Sequence, residues 1–215
     1  MERHDLQYTE IMLIDKRLFI WLFLSFILAT IVGTLSHEWG HYIVAEALGY
    51  DAVIHYAFTS YTSAPVERQP TDSFWISLGG PLQTLLTGTI GLILMIVQRK
   101  SLRNATTLTI GQWFLVLITL FWLRPAANFV TWIGGYFING RFSLRGDEIK
   151  IASFLLLPLW SVLVVTALMG LLILTIVVFK FIPAKQRLTF LCAGFAGGIT
   201  GYILWLKCLG KVILP

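Results

Sequence analysis

Five long apolar stretches dominate the sequence and restrict what the chain can fold into. They cover residues 18–49, 74–97, 107 into the 130s, 154–181 and 188–209. Each exceeds the ~20 residues that a helix needs to cross the hydrocarbon core of a bilayer. Hydrophobic residues make up 57% of the chain and charged residues 13%, against about 45–50% and about 25% in soluble domains. The sequence therefore predicts an all-α polytopic transmembrane bundle of about five spans.

The cations beside these stretches carry an orientation signal. One side of the predicted bundle holds nine Lys and Arg residues and the other holds six. The positive-inside rule then places the amino terminus in the cytoplasm, most simply of a cell membrane. The net charge of +5 is explained by these flanking cations and not by a nucleic-acid surface. The nine are Arg3, Lys16, Arg17, Arg99, Lys100, Arg103, Lys180, Lys185 and Arg187, and the six are Arg68, Arg141, Arg145, Lys150, Lys207 and Lys211.

The strongest chemical signal lies inside the first span, where the sequence from His37 to His41 reads His-Glu-Trp-Gly-His. Two histidines four residues apart lie on one face of a helix, where both imidazoles can bind one Zn²⁺. Glu38 lies ~100° further round the helix, where it can act as a general base without being a ligand. Ionisable side chains within a membrane span are costly, so the motif indicates a functional site.

This motif resembles the first motif of the site-2 protease family of intramembrane zinc metalloproteases. The likeness continues through Ala45, Leu48 and Gly49, and Gly80-Pro81-Leu82 in the second span resembles the Gly-Pro element of the family. The resemblance implies one membrane-embedded metallopeptidase domain over residues 1–215, with the elements of the site within residues 36–148.

The sequence departs from the family at two places. Thr84 stands where the family usually has Asn, and no Asp-Gly element supplies the third ligand. A catalytic zinc takes three protein ligands and a water molecule, so an enzyme requires another ligand. Asp147 is the best candidate, because its interval of eight residues from Asn139 resembles the third motif of the family. Glu148 is the rival candidate, and a solvated helix start is the alternative role of this acidic pair.

Other potential ligands follow the motif closely. Glu46 is excluded because nine residues beyond His37 correspond to ~900° of helix, which places it on the opposite face. Asp51 and His55 lie past the helix stop predicted at Gly49 and are the next candidates for the third ligand.

The predicted topology brings the motifs to one leaflet. With five spans, the end of the first, the beginning of the second and the loop between the third and fourth share one side of the membrane. The His37–His41 motif, Gly80 and Asp147 then lie near the same surface, whichever way the protein inserts.

Three further features allow two interpretations each. Arg124, before Pro125 in the third span, could offset a carboxylate or extend to the lipid headgroups. Asn128 and Asn139 are candidate contacts for the substrate or its oxyanion. Residues 51–62 have a β-favouring composition and predict either a short hairpin beside the metal or an interfacial loop that re-enters the membrane.

The residues and the resemblance together predict an intramembrane zinc metalloprotease acting on membrane-spanning or membrane-associated protein substrates. His37, His41 and Asp147 would hold Zn²⁺, and Glu38 would transfer a proton from water to the leaving amine. Two other functions are an inactive relative that serves as a membrane scaffold and a small metal transporter subunit. The intact Glu38 argues against the first, and the position of the motif near one end of a span argues against the second.

Overall fold

The chain forms a bundle of long helices with one small β-hairpin, as described by a computed structural model for residues 14–62, 69 and 71–215. Five helical segments are long and apolar enough to cross a membrane, namely Lys16–Ala47, Asp72–Val97, Ile110–Asn139, Ser161–Phe181 and Ala184–Ile213. The prediction of an all-α bundle of about five spans with a short hairpin after the first is confirmed. Arg3 and Arg68, which entered the comparison of flanking charges, lie outside the described residues.

The elements follow the apolar pattern of the sequence closely. In chain order they are α1 (Lys16–Ala47), β1 (Asp51–Ile54), β2 (Thr59–Thr62), α2 (Asp72–Val97), α3 (Arg99–Asn104), α4 (Ile110–Thr119), α5 (Leu123–Asn139), α6 (Asp147–Phe154), α7 (Ser161–Ile176), α8 (Ala184–Ile203) and α9 (Gly210–Ile213). A 3₁₀ turn at Leu120–Trp122 joins α4 to α5. Wider π-helical turns at Val177–Phe181 and Leu204–Leu209 extend α7 and α8.

The first and third spans are both longer than a membrane crossing requires, and they differ in whether the helix is continuous. The first is one unbroken helix of 32 residues, whose start is capped by the Asp15 carboxylate accepting from the Arg17 and Leu18 amides. The third breaks at Leu120–Trp122, directly before the first turn of α5. Pro125 fits in that turn because a proline nitrogen has no hydrogen to donate and the first turn needs none.

The fourth span starts later than the sequence predicted. Helix α7 begins at Ser161 and not near Phe154, because Asp147–Phe154 forms the separate helix α6. Leu156 takes a positive φ of 55° in the connection, and Pro158 follows. The chain therefore turns between α6 and the span.

Helix α1 is the central element and packs between α2 and α8. A Cβ on Gly197 of α8 would collide with the carbonyl oxygen of Phe23 in α1. On the other side of α1, a Cβ on Gly40 would collide with the carbonyl oxygen of Gly79 in α2, and the converse also holds. Small residues thus allow both neighbours to approach the backbone of α1 closely.

The hairpin lies against the carboxyl end of α1. Its two strands pair antiparallel, and the Ala52 amide donates to the Glu46 carboxylate of α1 at 2.9 Å. The Trp205 indole donates to the carbonyl of Tyr56, in the hairpin turn, at 2.7 Å. Both the first helix and the last span therefore fix the hairpin on this side of the bundle.

We expect Gly79→Ala to destabilise the protein, because the added methyl group would force α1 and α2 apart. Overpacking of this kind costs about 1–3 kcal/mol. Gly198→Ala is the matched control, since Gly198 lies inside α8 and no described atom lies within 4 Å of its Cβ position. Alanine favours a helix over glycine by about 0.8–1 kcal/mol, so the control should be at least as stable as the wild type. Thermal unfolding in detergent measures both, and equal losses would contradict the close crossing.

Candidate metal centre

Three potential ligand atoms converge at one point between α1 and α6. His37 Nε2 lies 3.2 Å from His41 Nε2, and Asp147 Oδ2 lies 3.2 Å from the first nitrogen and 3.3 Å from the second. Bonds of about 2.0–2.1 Å to a tetrahedral zinc ion place neighbouring ligand atoms about 3.3–3.4 Å apart. The triangle therefore has the size that one small metal ion requires.

Hydrogen bonds set the tautomer of both histidines. His41 Nδ1 donates to the Ile76 carbonyl at 2.6 Å, a contact that outweighs the 3.3 Å approach of the Gly80 amide to the same nitrogen. The Thr84 hydroxyl gives its proton to the Gly80 carbonyl at 3.0 Å and so accepts from His37 Nδ1 at 2.9 Å. Each neutral ring therefore presents a lone pair on Nε2.

The three atoms, two imidazole nitrogens and one carboxylate oxygen, are suited to binding a cation. Two imidazole lone pairs and a carboxylate oxygen face one another without a donor between them, which is repulsive unless a positive ion lies there. Two histidines, one carboxylate and an open fourth position make up a ligand set used by catalytic zinc. Across residues 14–62, 69 and 71–215, no other group of three or more His, Cys, Asp or Glu side chains is as closely spaced.

Helix α2 supports the two histidines through both backbone and side-chain groups. A Cβ on Gly80 would lie 2.7 Å from His37 Nε2 and closer still to His41 Nε2. Any side chain at this position would fill the space into which both ligand nitrogens point. Partners of the second ring nitrogen orient a ligating histidine, and α2 supplies these partners in the Ile76 carbonyl and the Thr84 hydroxyl.

The start of α6 presents the third candidate ligand. Gly146 precedes the helix with φ at 132°, a backbone conformation that residues with a side chain rarely adopt. Asp147 follows as the first residue of α6, with its side chain 23% exposed. Lys150, one turn later, places Nζ 3.9 Å from the other carboxylate oxygen, Oδ1.

Glu148 has a different environment from its neighbour. It is only 5% exposed, and its Oε1 accepts a hydrogen bond from Asn128 Nδ2 at 3.0 Å. Burial raises the pKa of the Glu148 carboxyl above its ordinary value, more than the hydrogen bond from Asn128 lowers it. The interpretation of the acidic pair as a solvated helix start is therefore wrong for Glu148, which packs into the bundle beside α5.

Glu38 lies between the hairpin and α5. It is 4% exposed, and the Thr59 hydroxyl of β2 lies 3.0 Å from its backbone carbonyl oxygen and 3.2 Å from its Oε2, so that one proton serves both acceptors. Its Oε1 lies 3.9 Å from Nη2 of Arg124. Of the two interpretations of Arg124, the structure favours the one in which it offsets a carboxylate.

Three other candidates are not gathered around the triad. Asn139 is exposed and donates to the Gly135 carbonyl of its own helix at 2.9 Å, because α5 continues as a regular helix to this residue. His55 lies in the hairpin turn with Nε2 2.8 Å from the Ser60 hydroxyl. Asp51 is exposed in β1. The amide of Asn128, proposed as an oxyanion donor, already donates to Glu148.

Sequence reasoning missed two side chains that hold the site. Thr84 was noted only as a departure from the family, although it lies one helical turn after Gly80 and so on the same face of α2. Thr59 had no local signal, because only the pairing of the hairpin brings it to Glu38.

Comparison with known proteins gives no match to this chain among family models, curated proteins or solved structures. The resemblance to site-2 proteases depends on the motifs alone and stays a prediction.

We expect Asp147→Ala to remove the bound metal, because the substitution leaves two ligands. The loss of zinc affinity should exceed the about 10–100-fold that outer-sphere changes cause. Glu148→Gln is the matched control, because it keeps the shape and a hydrogen-bonding oxygen for Asn128. Its zinc content and its resistance to a competing chelator should stay close to those of the wild type. The opposite pattern would assign the third ligand to Glu148.

Proposed function

We propose that this protein is an intramembrane zinc metalloprotease, similar in its chemistry to the site-2 protease family. One observation carries the proposal: three acceptor atoms converge within 3.3 Å of one another, and Glu38, which follows the first histidine of the motif, is buried. His37, Glu38 and His41 lie in α1, which is long and apolar enough to cross a membrane. Buried ionisable groups in such segments are expensive and are retained for function.

Zinc is the metal that the donor set favours. The ligands would be His37 and His41 through Nε2 and Asp147 through a carboxylate oxygen. Bound zinc supplies a Lewis acid, which lowers the pKa of coordinated water to about 7 and polarises a carbonyl group.

Glu38 is the general base in this proposal. Its carboxylate is buried, with Oε2 3.2 Å from the Thr59 hydroxyl and Oε1 3.9 Å from Arg124 Nη2. Glu38 takes a proton from the attacking water as the water oxygen bonds to the peptide carbonyl carbon. When the carbon–nitrogen bond breaks, Glu38 gives that proton to the leaving amine. No net proton remains on the enzyme after the amine and the new carboxyl group have formed.

The proposed substrate is a protein segment that spans or contacts the membrane. A transmembrane helix hides its carbonyl groups in its own hydrogen bonds, so the segment must unwind before water can attack. Unwinding is tolerable only where protein or water satisfies the released backbone groups. We therefore expect substrates with helix-weakening residues near the cleaved bond.

The loop charges favour an amino terminus in the cytoplasm. The described chain places the hairpin and α6 at the carboxyl ends of the first and third spans, opposite the amino end of α1. The metal centre would then lie nearer the outer face of a cell membrane.

We expect Glu38→Gln to retain zinc and to lose peptide cleavage. The amide keeps the size of the side chain but cannot take the proton from water, and loss of a general base costs about 10²–10⁴-fold. The assay is hydrolysis of a transmembrane peptide by the purified zinc-loaded protein in detergent or liposomes. Zinc content serves as the control, because Glu38 is not one of the three ligands. Equal turnover by the variant and the wild type would refute the mechanism, and a zinc-loaded wild type with no hydrolysis would favour a scaffold.

Orientation is tested with single cysteines in a variant that lacks Cys192 and Cys208. Ser143→Cys lies in the exposed connection before α6, and Thr106→Cys lies in the exposed connection before α4. A membrane-impermeant maleimide applied to intact cells should label the first variant and not the second. The reverse labelling would invert the topology.

A further inference from the structure

Arg124 is a cation with hydrogen-bond donors that the described part of the bundle leaves unpaired. It lies in the first turn of α5, directly after the 3₁₀ turn and before Pro125. Its Nη2 is 3.9 Å from Glu38 Oε1, which is beyond hydrogen-bond distance. Its Nε is buried and has no hydrogen-bond partner among residues 14–62, 69 and 71–215. A guanidinium carries five N–H donors, so this one retains donors for something else.

Arg124 lines a cavity beside the candidate metal centre. A cavity of about 110 Å³ is lined on one side by the ligand residue His37 with Thr84, and on another by Arg124 with Glu148. The remaining wall includes apolar side chains such as Leu85. His37 and Arg124 therefore border the same space.

Two other polar side chains near the site already donate hydrogen bonds. The Thr84 hydroxyl donates to the Gly80 carbonyl, and the Asn128 amide donates to Glu148. The developing oxyanion of an acyl-transfer reaction needs fixed donors in a water-poor site. Asn128 keeps one N–H and Arg124 keeps several, and the donors of Arg124 carry the positive charge that favours an oxyanion.

We propose that Arg124 is a catalytic residue that donates hydrogen bonds to the carbonyl oxygen of the scissile peptide as negative charge develops. This inference depends on the function proposed above. As the water oxygen bonds to the carbonyl carbon, the π electrons move to the carbonyl oxygen. The Arg124 N–H groups donate hydrogen bonds to this oxygen. The electrons return to form the carboxyl group when the carbon–nitrogen bond breaks. Arg124 keeps its protons throughout, and Glu38 carries the proton that moves.

The first test is steady-state hydrolysis of a transmembrane peptide by Arg124→Gln. Removal of one oxyanion donor costs about 10²–10³-fold in kcat, and we expect this loss with little change in KM. Arg187→Gln is the matched control, because Arg187 donates to the Ile182 and Phe179 carbonyls at the opposite end of the bundle. It should keep the kcat of the wild type. Zinc content and thermal unfolding establish that both variants are folded and loaded.

The second test measures binding without turnover and separates direct contact from an effect through Glu38. A phosphinic peptide carries a tetrahedral anionic group in place of the scissile bond, whereas a peptide thiol binds zinc without that group. Arg124→Gln should weaken the phosphinic peptide by about 10²-fold and leave the thiol unchanged. The same loss should appear when both proteins also carry Glu38→Gln, because a direct contact does not need the carboxylate.

Each result decides the proposal. Disappearance of the phosphinic effect in the Glu38→Gln background would overturn it and would make Arg124 a positioning residue for Glu38. An active wild type with an equally active Arg124→Gln variant would overturn this inference alone. A zinc-loaded wild type that neither hydrolyses peptides nor binds the phosphinic peptide would overturn the proposed protease function, and this inference with it.

Discussion

The contact between Gly40 and Gly79 is the constraint on which the site depends. Neither residue has room for a Cβ, because each would meet the carbonyl oxygen of the other helix. The close crossing lets Ile76 reach His41 and brings Gly80 against the ligand nitrogens. A wider crossing would free both imidazoles to rotate, so helix packing and ligand orientation are one property of this bundle.

Charge is the second constraint, because the site gathers carboxylates in a region from which water is largely excluded. Glu38 and Glu148 are both buried, and Asp147 belongs to the triad. Arg124 offsets part of this charge, and a divalent cation in the triad would offset more. Buried charges without partners are strongly destabilising. We therefore regard the metal, the arginine and the carboxylates as one electrostatic unit whose members stabilise one another.

The sequence predicts the local features of this protein well. Apolar runs define the spans because each helix must satisfy its own backbone in a membrane, and the spacing of His37 and His41 follows from helix geometry. The number of spans also predicts that Asp147 lies on the same side of the bundle as His37 and His41. What the sequence could not predict is which side chains complete the site across long separations. The pairs Thr59–Glu38 and Asn128–Glu148 depend on the packing of different elements, and no local pattern marks them.

The length of α1 relates the site to the membrane. Lys16 begins the helix and His37 and His41 lie 21 and 25 residues later, which is about 32–38 Å along the axis at 1.5 Å per residue. The hydrocarbon core is about 30 Å thick, and a moderate tilt shortens the projection only slightly. If Lys16 marks one interface, the ligands lie near the other interface and not at the midplane. A substrate helix frays there more readily than at its centre. A hydrolase at this position would then need to unwind only the last turns of its substrate, beside the hairpin whose Thr59 contacts Glu38.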